Sequence, residues 1–373
     1  MALEAVHVSD VPYLDQVPEN VALSLLSSRF NKGVSDDGDD TKRKFEFPKF
    51  MVMGHRGSGM NMLQSSDRRM KSMKENSILS FNSASKFPID FIEFDVQGEI
   101  VEKRVTELSL AELLSYGPQK NPEVVGKPLF RKTKDGRIFE WKVEKDAPLC
   151  TLQEVFKEVD GSLGFNIELK FDDQMVYTEK ELTHVLQVIL KVVYEHAKDR
   201  RIIFSSFQPD AALLIRKLQS TYPVFADAAI QVFFLTNGGS QTYTDVRRGS
   251  LDEAIVVCLA GGLQGIVSEV KAIFKNPVAV KTIHESKLSL VTYGELNNVP
   301  EVVYLQRFMG IEGVIVDLVP EITEAVANFE NNVKKGEEEA SFFVEEGKVK
   351  ADFQFSRNEL SLFQKLIPEL MQI

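Results

Sequence analysis

The sequence predicts an α/β fold, a (β/α)8 barrel of the TIM type with a small insertion after its second strand. Three observations predict it. Eight short apolar runs, rich in β-branched and aromatic residues, recur along the chain. Amphipathic helical patterns separate most of them. The runs are apolar on both faces except at their ends, as strands of a parallel sheet covered by helices must be.

In order, the strands read MVMGHRG from Met51, DFIEFDVQ from Asp90, LGFNIELK from Leu163, RIIFSSF from Arg201, VFFLTN from Val232, GIVSEV from Gly265, LSLVTYG from Leu288 and GVIVDL from Gly313. Helical spacing recurs in ENSILSFNSASKF from Glu75, TLQEVFKEV from Thr151, EKELTHVLQVILKVVYEHAKD from Glu179, PDAALLIRKLQST from Pro209, SLDEAIVVCLAGG from Ser250, KNPVAVKTIHESK from Lys275 and VVYLQRFMG from Val302. Residues 1–46 read as a flexible N-terminal segment and 47–330 as the barrel. The stretch of about 98–150 breaks the alternation and carries the sole tryptophan, Trp141, so it reads as an insertion over the barrel mouth. Residues 331–373 read as a charged linker and a terminal helix, with Leu360, Phe363, Leu366 and Ile367 at helical spacing behind Ser356.

The 373 residues are 43% hydrophobic and 27% charged, an ordinary globular composition. A net charge of −11 disfavours nucleic acid and anionic membrane surfaces as partners. Cys150 and Cys258 lack metal-ligand spacing, which points to a reducing compartment. No apolar run reaches the roughly 18 residues of a membrane span, and the first residues lack the pattern of a secretion signal. A cytoplasmic protein is expected, with a plastid location as the alternative.

Polar residues gather at the C-terminal ends of the strands. His55 and Arg56 end the first, Glu93 and Asp95 sit in the second, Glu168 and Lys170 end the third, and Ser205 and Ser206 the fourth. In a barrel these ends converge on one rim, where active sites lie. Glu93 and Asp95 are two residues apart, so both point to one face, and so do Glu168 and Lys170. Three carboxylates at one mouth repel each other unless a cation sits among them, and hard oxygen donors suit Mg2+ or Ca2+. Each residue also has a plainer reading: an ion pair for Lys170, helix initiation for Glu75, packing for Phe207 and Trp141, a strand end for Asp317.

The motifs GHRG (Gly54–Gly57), ENS (Glu75–Ser77), IEFDV (Ile92–Val96), NIELK (Asn166–Lys170), SSF (Ser205–Phe207) and GVIVD (Gly313–Asp317), in this order and on strand ends, resemble those of the glycerophosphodiester phosphodiesterase family, in its soluble plant branch. The resemblance implies a metal-dependent barrel that hydrolyses small-molecule glycerophosphodiesters, such as glycerophosphocholine and glycerophosphoethanolamine, to an alcohol and sn-glycerol 3-phosphate. It implies Glu93, Asp95 and Glu168 as ligands of Mg2+, with Ca2+ as the alternative. Arg56 and Lys170 would neutralise the phosphodiester, Glu75 would support the site, and His55 would be one of two histidines acting as general base and acid. Apart from the resemblance, Phe207 and Trp141 are read as substrate contacts or as packing.

The chain departs from the family pattern in one respect that bears on chemistry. After IEFDV the family continues through T-x-D-G-x-x-V-V-x-H-D, whose histidine is the second acid/base. Here FIEFDVQ runs directly into GEIVEKRV, and the His-Asp pair is absent. The remaining histidines are His7 in the N-terminal segment, His184 and His196 in one long helical pattern, and His284 in another. A second departure is VFADAAIQVFF (Val224–Phe234), which repeats VF where the family runs on directly. The alternatives to an ordinary family enzyme are therefore a member with impaired catalysis and a lysophospholipase D-like phosphodiesterase.

Overall fold

The computed structural model describes residues 49–96, 109–132, 136–173, 175–219 and 230–328. The expected N-terminal segment, the expected terminal helix and residues 224–229 of the repeated-VF stretch lie outside the described residues. The described strands are β1 (Met51–Gly54), β2 (Phe91–Val96), β3 (Phe130–Lys132), β4 (Ile138–Glu140), β5 (Gly164–Leu169), β6 (Ile202–Ser206), β7 (Ile230–Thr236), β8 (Gly265–Glu269), β9 (Ser289–Tyr293) and β10 (Gly313–Val316). All but β3 and β4 form a closed parallel barrel in the order β1-β10-β9-β8-β7-β6-β5-β2, with β2 returning to β1. The eight strands expected from sequence are these eight.

The described helices are α1 (Ile78–Ala84), α2 (Leu110–Leu114), α3 (Leu152–Glu158), α4 (Glu179–His196), α5 (Pro209–Gln219), α6 (Leu251–Gly261), α7 (Val270–Lys275), α8 (Val278–Glu285), α9 (Pro300–Phe308) and α10 (319–328). Local chemistry starts them. Ser77 caps α1 by accepting the Ser80 amide. Thr151 with Glu154, and Thr178 with Glu181, form capping boxes on α3 and α4. The helix expected from Lys275 is α8, which starts after Pro277; α7, directly after β8, is a further short helix not singled out in the sequence, and the proline, which lacks an amide, separates the two. The α10 helix, not singled out in the sequence, buries Val319, Ile322 and Val326 at helical spacing.

Strand alternation divides the core in two. One set, including Phe81, Phe94, Phe165, Phe204, Phe234, Ile266, Leu290 and Val314, packs between sheet and helices. The other, Met51, Met53, Phe91, Ile203, Phe233, Leu235, Val267, Val291 and Ile315, fills the barrel interior, with Phe207 and Tyr293 packed against it. Phe91 is accommodated by Gly164, where a Cβ would lie 2.2 Å from its ring. Side chains two residues on from the interior set also face inward. That periodicity delivers His55, Glu93, Asp95, Phe207, Tyr293 and Asp317 to one end of the barrel.

The insertion between β2 and α3 consists, in its described part, of α2 and the antiparallel β3–β4 hairpin. It has a small core of its own, Leu63, Leu113, Leu129, Trp141 and Leu149, in which Leu63 comes from the β1–α1 loop. The Lys145 amide donates to the Ser72 carbonyl (2.9 Å) and the Lys74 amide to the Lys145 carbonyl (3.0 Å). The insertion is thus fastened to the loop that carries His55 and Arg56.

Candidate active site

The loop after β1 is folded tightly against the barrel. Gly57 (φ 91°) and Gly59 (φ 109°) both adopt a backbone that side chains rarely tolerate. A Cβ on Gly59 would lie 2.4 Å from the Asp317 carbonyl oxygen, so only glycine allows the loop this close to the end of β10. Arg56 itself has φ 50°, and its carbonyl accepts from the Asn76 amide (3.0 Å) and the Ser80 hydroxyl (3.1 Å). These contacts hold an unfavourable conformation in place.

The turn directs His55 and Arg56 to different neighbours. His55 Nδ1 lies 2.8 Å from Asp317 Oδ1, and its Nε2 is 3.8 Å from Glu93 Oε2. Asp317 also accepts the Met60 amide (2.8 Å) and the Asn298 side-chain amide (3.0 Å). The carboxylate therefore fixes the ring with Nε2 toward the mouth. Burial opposes a charge on His55, but Asp317 and then Glu93 outweigh it and raise its pKa to about 9. Against its own burial, Asp317 is drawn down to about 2 by the same pairing.

Arg56 is 8% exposed. Its amide donates to Glu93 Oε2 (3.1 Å), its Nη1 to Glu75 Oε1 (2.6 Å), and its Nε is 3.2 Å from Asp95 Oδ2. Lys170 Nζ lies 2.5 Å from Glu168 Oε1 and 3.2 Å from Asp95 Oδ1. The Asn76 side-chain amide donates to Asp95 Oδ2 (2.9 Å). Against burial, Arg56, Lys170 and Asn76 hold Asp95 below the usual carboxylate range. Glu168 is pushed up, mainly by burial. Burial, with Asp95 and Glu168 beside it, pushes Glu93 up to about 7 despite His55 and Arg56.

Glu93, Asp95 and Glu168 are all buried and present ligand oxygens within 4.8 Å of one another. Glu93 Oε1 is buried without a hydrogen-bond partner among the described residues. An orphaned carboxylate oxygen costs free energy unless something else satisfies it. The donor set, three carboxylates, suits a hard divalent cation. Cation binding must expel the Glu93 proton, so Mg2+ affinity is expected to rise with pH. Below about pH 7 it should weaken by up to about tenfold per pH unit, and above that the rise should become shallower. Loss of the His55 proton at higher pH acts in the same direction. Calorimetry at pH 6 and pH 8, in buffers of different ionisation heat, reads both the affinity and the proton release.

The remaining expected residues divide. Phe207 lies at the mouth, edge-on to Tyr293 with ring centroids 6.1 Å apart. Ser205 faces inward, in register with Glu168, and donates to Asn166 (2.9 Å), whereas Ser206 faces the helices and donates to the Leu169 carbonyl (2.8 Å). Trp141 does not share the carboxylate cluster. It is 3% exposed, with Lys74 Nζ 4.0 Å and Arg131 Cζ 3.9 Å from its ring centroid. Glu75 is fully buried between Arg56 and Arg131, and the two guanidiniums lower its pKa against burial.

Three residues of this constellation escaped the sequence reading: Asn76, Asn298 and Arg131. Asn76 was in view within ENS. Of the histidines, His184 and His196 lie on α4 in the outer ring, and His284 pairs with Glu312 before β10, at the far end of the barrel. Among the described residues His55 is the sole histidine at the mouth.

The sequence profile of the glycerophosphoryl diester phosphodiesterase family matches residues 55–98 and 100–321. The chain is 54% identical to Arabidopsis thaliana glycerophosphodiester phosphodiesterase GDPD3, over 95% of this chain and 99% of that one. It is 53% identical to the Arabidopsis GDPD1, named chloroplastic, over the full length of both. That alignment spans 393 positions against 373 residues here, so about 20 positions have no counterpart in this chain. A glycerophosphocholine phosphodiesterase of Candida albicans is 28% identical over 77% of this chain and 29% of its own length. In fold the chain is similar to an Oleispira antarctica phosphodiesterase solved with sn-glycerol-3-phosphate, with a TM-score of 0.50, 16% identity, and coverage of 74% of this chain and 96% of that one.

Proposed function

Since the chain belongs to the glycerophosphoryl diester phosphodiesterase family, we propose that this phosphodiesterase hydrolyses glycerophosphocholine and glycerophosphoethanolamine to the free alcohol and sn-glycerol 3-phosphate, using Mg2+ and a single histidine. The observation that carries this reading is the convergence of His55, Arg56, Lys170 and three buried carboxylates on one barrel mouth. The Candida relative supports glycerophosphocholine as substrate.

Glu93, Asp95 and Glu168 would hold the cation, which when bound withdraws charge from phosphorus and acidifies the neighbouring glycerol hydroxyl. Arg56 and Lys170 place positive charge beside the phosphoryl oxygens. Glu93 loosens its hold on the His55 proton once its own charge is neutralised, which frees Nε2 as general base for the glycerol hydroxyl. Asp317 keeps the ring aligned and stabilises the imidazolium that forms. The glycerol hydroxyl displaces the alkoxide from phosphorus to leave a cyclic glycerol phosphate, and a further water then opens the ring to sn-glycerol 3-phosphate. No second histidine awaits the departing alkoxide among the described residues, so it takes its proton from water. That makes the enzyme a slow member of its family. The cytosol is its proposed location, with the plastid as the second reading, favoured by the name of one Arabidopsis relative.

Phosphorus NMR of glycerophosphocholine incubated with the protein tests the reaction. The diester signal is expected to give way to sn-glycerol 3-phosphate in the presence of Mg2+, and a chelator should stop it. Formation of phosphocholine instead would overturn the proposed bond cleavage.

A further inference from the structure

We propose that Arg131, on the β3 strand of the insertion, is a positioning residue for the phosphodiester reaction, acting through Glu75 on Arg56. The inference rests on the reading of Arg56 as the phosphate clamp. Arg131 is distant in sequence from every motif of the site, yet its Nη2 reaches Glu75 Oε1 at 2.5 Å, the same oxygen that Arg56 Nη1 contacts at 2.6 Å. One fully buried carboxylate is thus gripped from two sides by guanidiniums.

The grip is itself fixed. Arg131 Nη1 donates to the Asn61 carbonyl at 2.6 Å, and the guanidinium lies 3.9 Å over the ring of Trp141. Trp141 Nε1 donates to the Asn61 side-chain oxygen (2.9 Å), and the Asn61 amide donates back to Glu75. The Asn61 side-chain amide is tied to the Met73 carbonyl (2.7 Å). Arg131, Glu75, Asn61 and Trp141 therefore close a ring of contacts in which a planar, two-pronged cation is needed. An ammonium could reach Glu75 or Asn61 but would lose the stacking.

This ring gives Trp141 and the insertion a place in the chemistry without contact with substrate. With Arg131 present, Glu75 has one orientation, and Arg56 is held with Nε 3.2 Å from Asp95. Without it, Glu75 rotates toward Arg56 alone and the clamp shifts relative to the carboxylates. A displacement of about 1 Å at a charge-stabilising group lowers turnover more than it lowers ligand binding.

The test uses the full chain with Mg2+ in four forms: Arg131→Met, Arg131→Lys, Arg56→Ala and the double variant Arg56→Ala/Arg131→Met. The readouts are kcat and KM for glycerol 3-phosphate release, Mg2+ affinity, and calorimetric affinity for sn-glycerol 3-phosphate. Arg131→Met is expected to lower kcat by about tenfold while Mg2+ affinity stays within about twofold. Arg131→Lys keeps the buried charge, so it folds even if the methionine variant does not, and it should recover only part of the loss. In the Arg56→Ala background Arg131→Met should add less than about twofold, because the two act as one unit. Losses that multiply in the double variant, or wild-type kcat and product affinity in both Arg131 variants, would overturn the relay alone. An unaffected Arg56→Ala variant would overturn the phosphate-clamp reading and the relay with it.

Discussion

Replacing His55 by alanine is expected to lower glycerol 3-phosphate release by about 10²–10⁴-fold, the range that a positioned acid or base contributes. His55 is the sole histidine among the described residues at the mouth, and its ring is held with Nε2 toward Glu93 by the 2.8 Å contact with Asp317. Glu93 beside it is also shifted toward neutrality but belongs to the three-carboxylate set that suits the cation, which leaves His55 to move the proton. Mg2+ affinity should survive the change, because Glu93, Asp95 and Glu168 keep their places on β2 and β5. The positive charge of His55 near Glu93 is lost, so affinity at neutral pH should rise slightly rather than fall. Asp317→Asn is expected to give a smaller loss than His55→Ala, since it misaligns the ring without removing it. Kinetics and metal calorimetry on the same preparations separate a proton-transfer defect from a metal-binding one.

The second large effect is a gain. Grafting a T-x-D-G-x-x-V-V-x-H-D segment between Gln97 and Gly98 is expected to raise the rate by about 10²–10⁴-fold. The family pattern breaks off after FIEFDVQ, and that break sets the place of the graft. If the grafted histidine protonates the leaving alkoxide, the gain depends on the leaving group. A choline leaving group, a poor one, should show the full increase. A p-nitrophenyl leaving group needs no proton and should show almost none. Equal gains for both would place the new histidine elsewhere in the reaction. Absence of any gain, with the graft folded, would mean that the chain has adapted to work without it.

How much of this was legible in the sequence depends on the range of the interaction. Glu93, Asp95, Glu168 and Lys170 could be assigned to one face because strand alternation is local and its period is two. The barrel itself followed from repeated units, each carrying its own pattern. The pairing of His55 with Asp317 was not legible in the same way. It joins residues 262 apart, and only closure of β1 against β10 brings them together. Asp317 could be seen as a strand end, but its partner could not. Arg131 was harder still, because a single arginine in a mixed-charge stretch has no periodicity to reveal its target. Trp141, the sole tryptophan, reads from sequence as a substrate contact. Its ring instead packs against Lys74 and Arg131, a placement set by tertiary packing. The short α7 was not legible because Val270–Lys275 runs on directly from β8 and is too brief to show a helical period.

The most direct measurement is glycerol 3-phosphate release from glycerophosphocholine by the unaltered chain, with and without Mg2+, beside the His55→Ala variant. The expected result is slow release that requires Mg2+ and disappears in the variant. Release equal in the two proteins, or none above the variant while Mg2+ is bound by both, would contradict a working single-histidine phosphodiesterase.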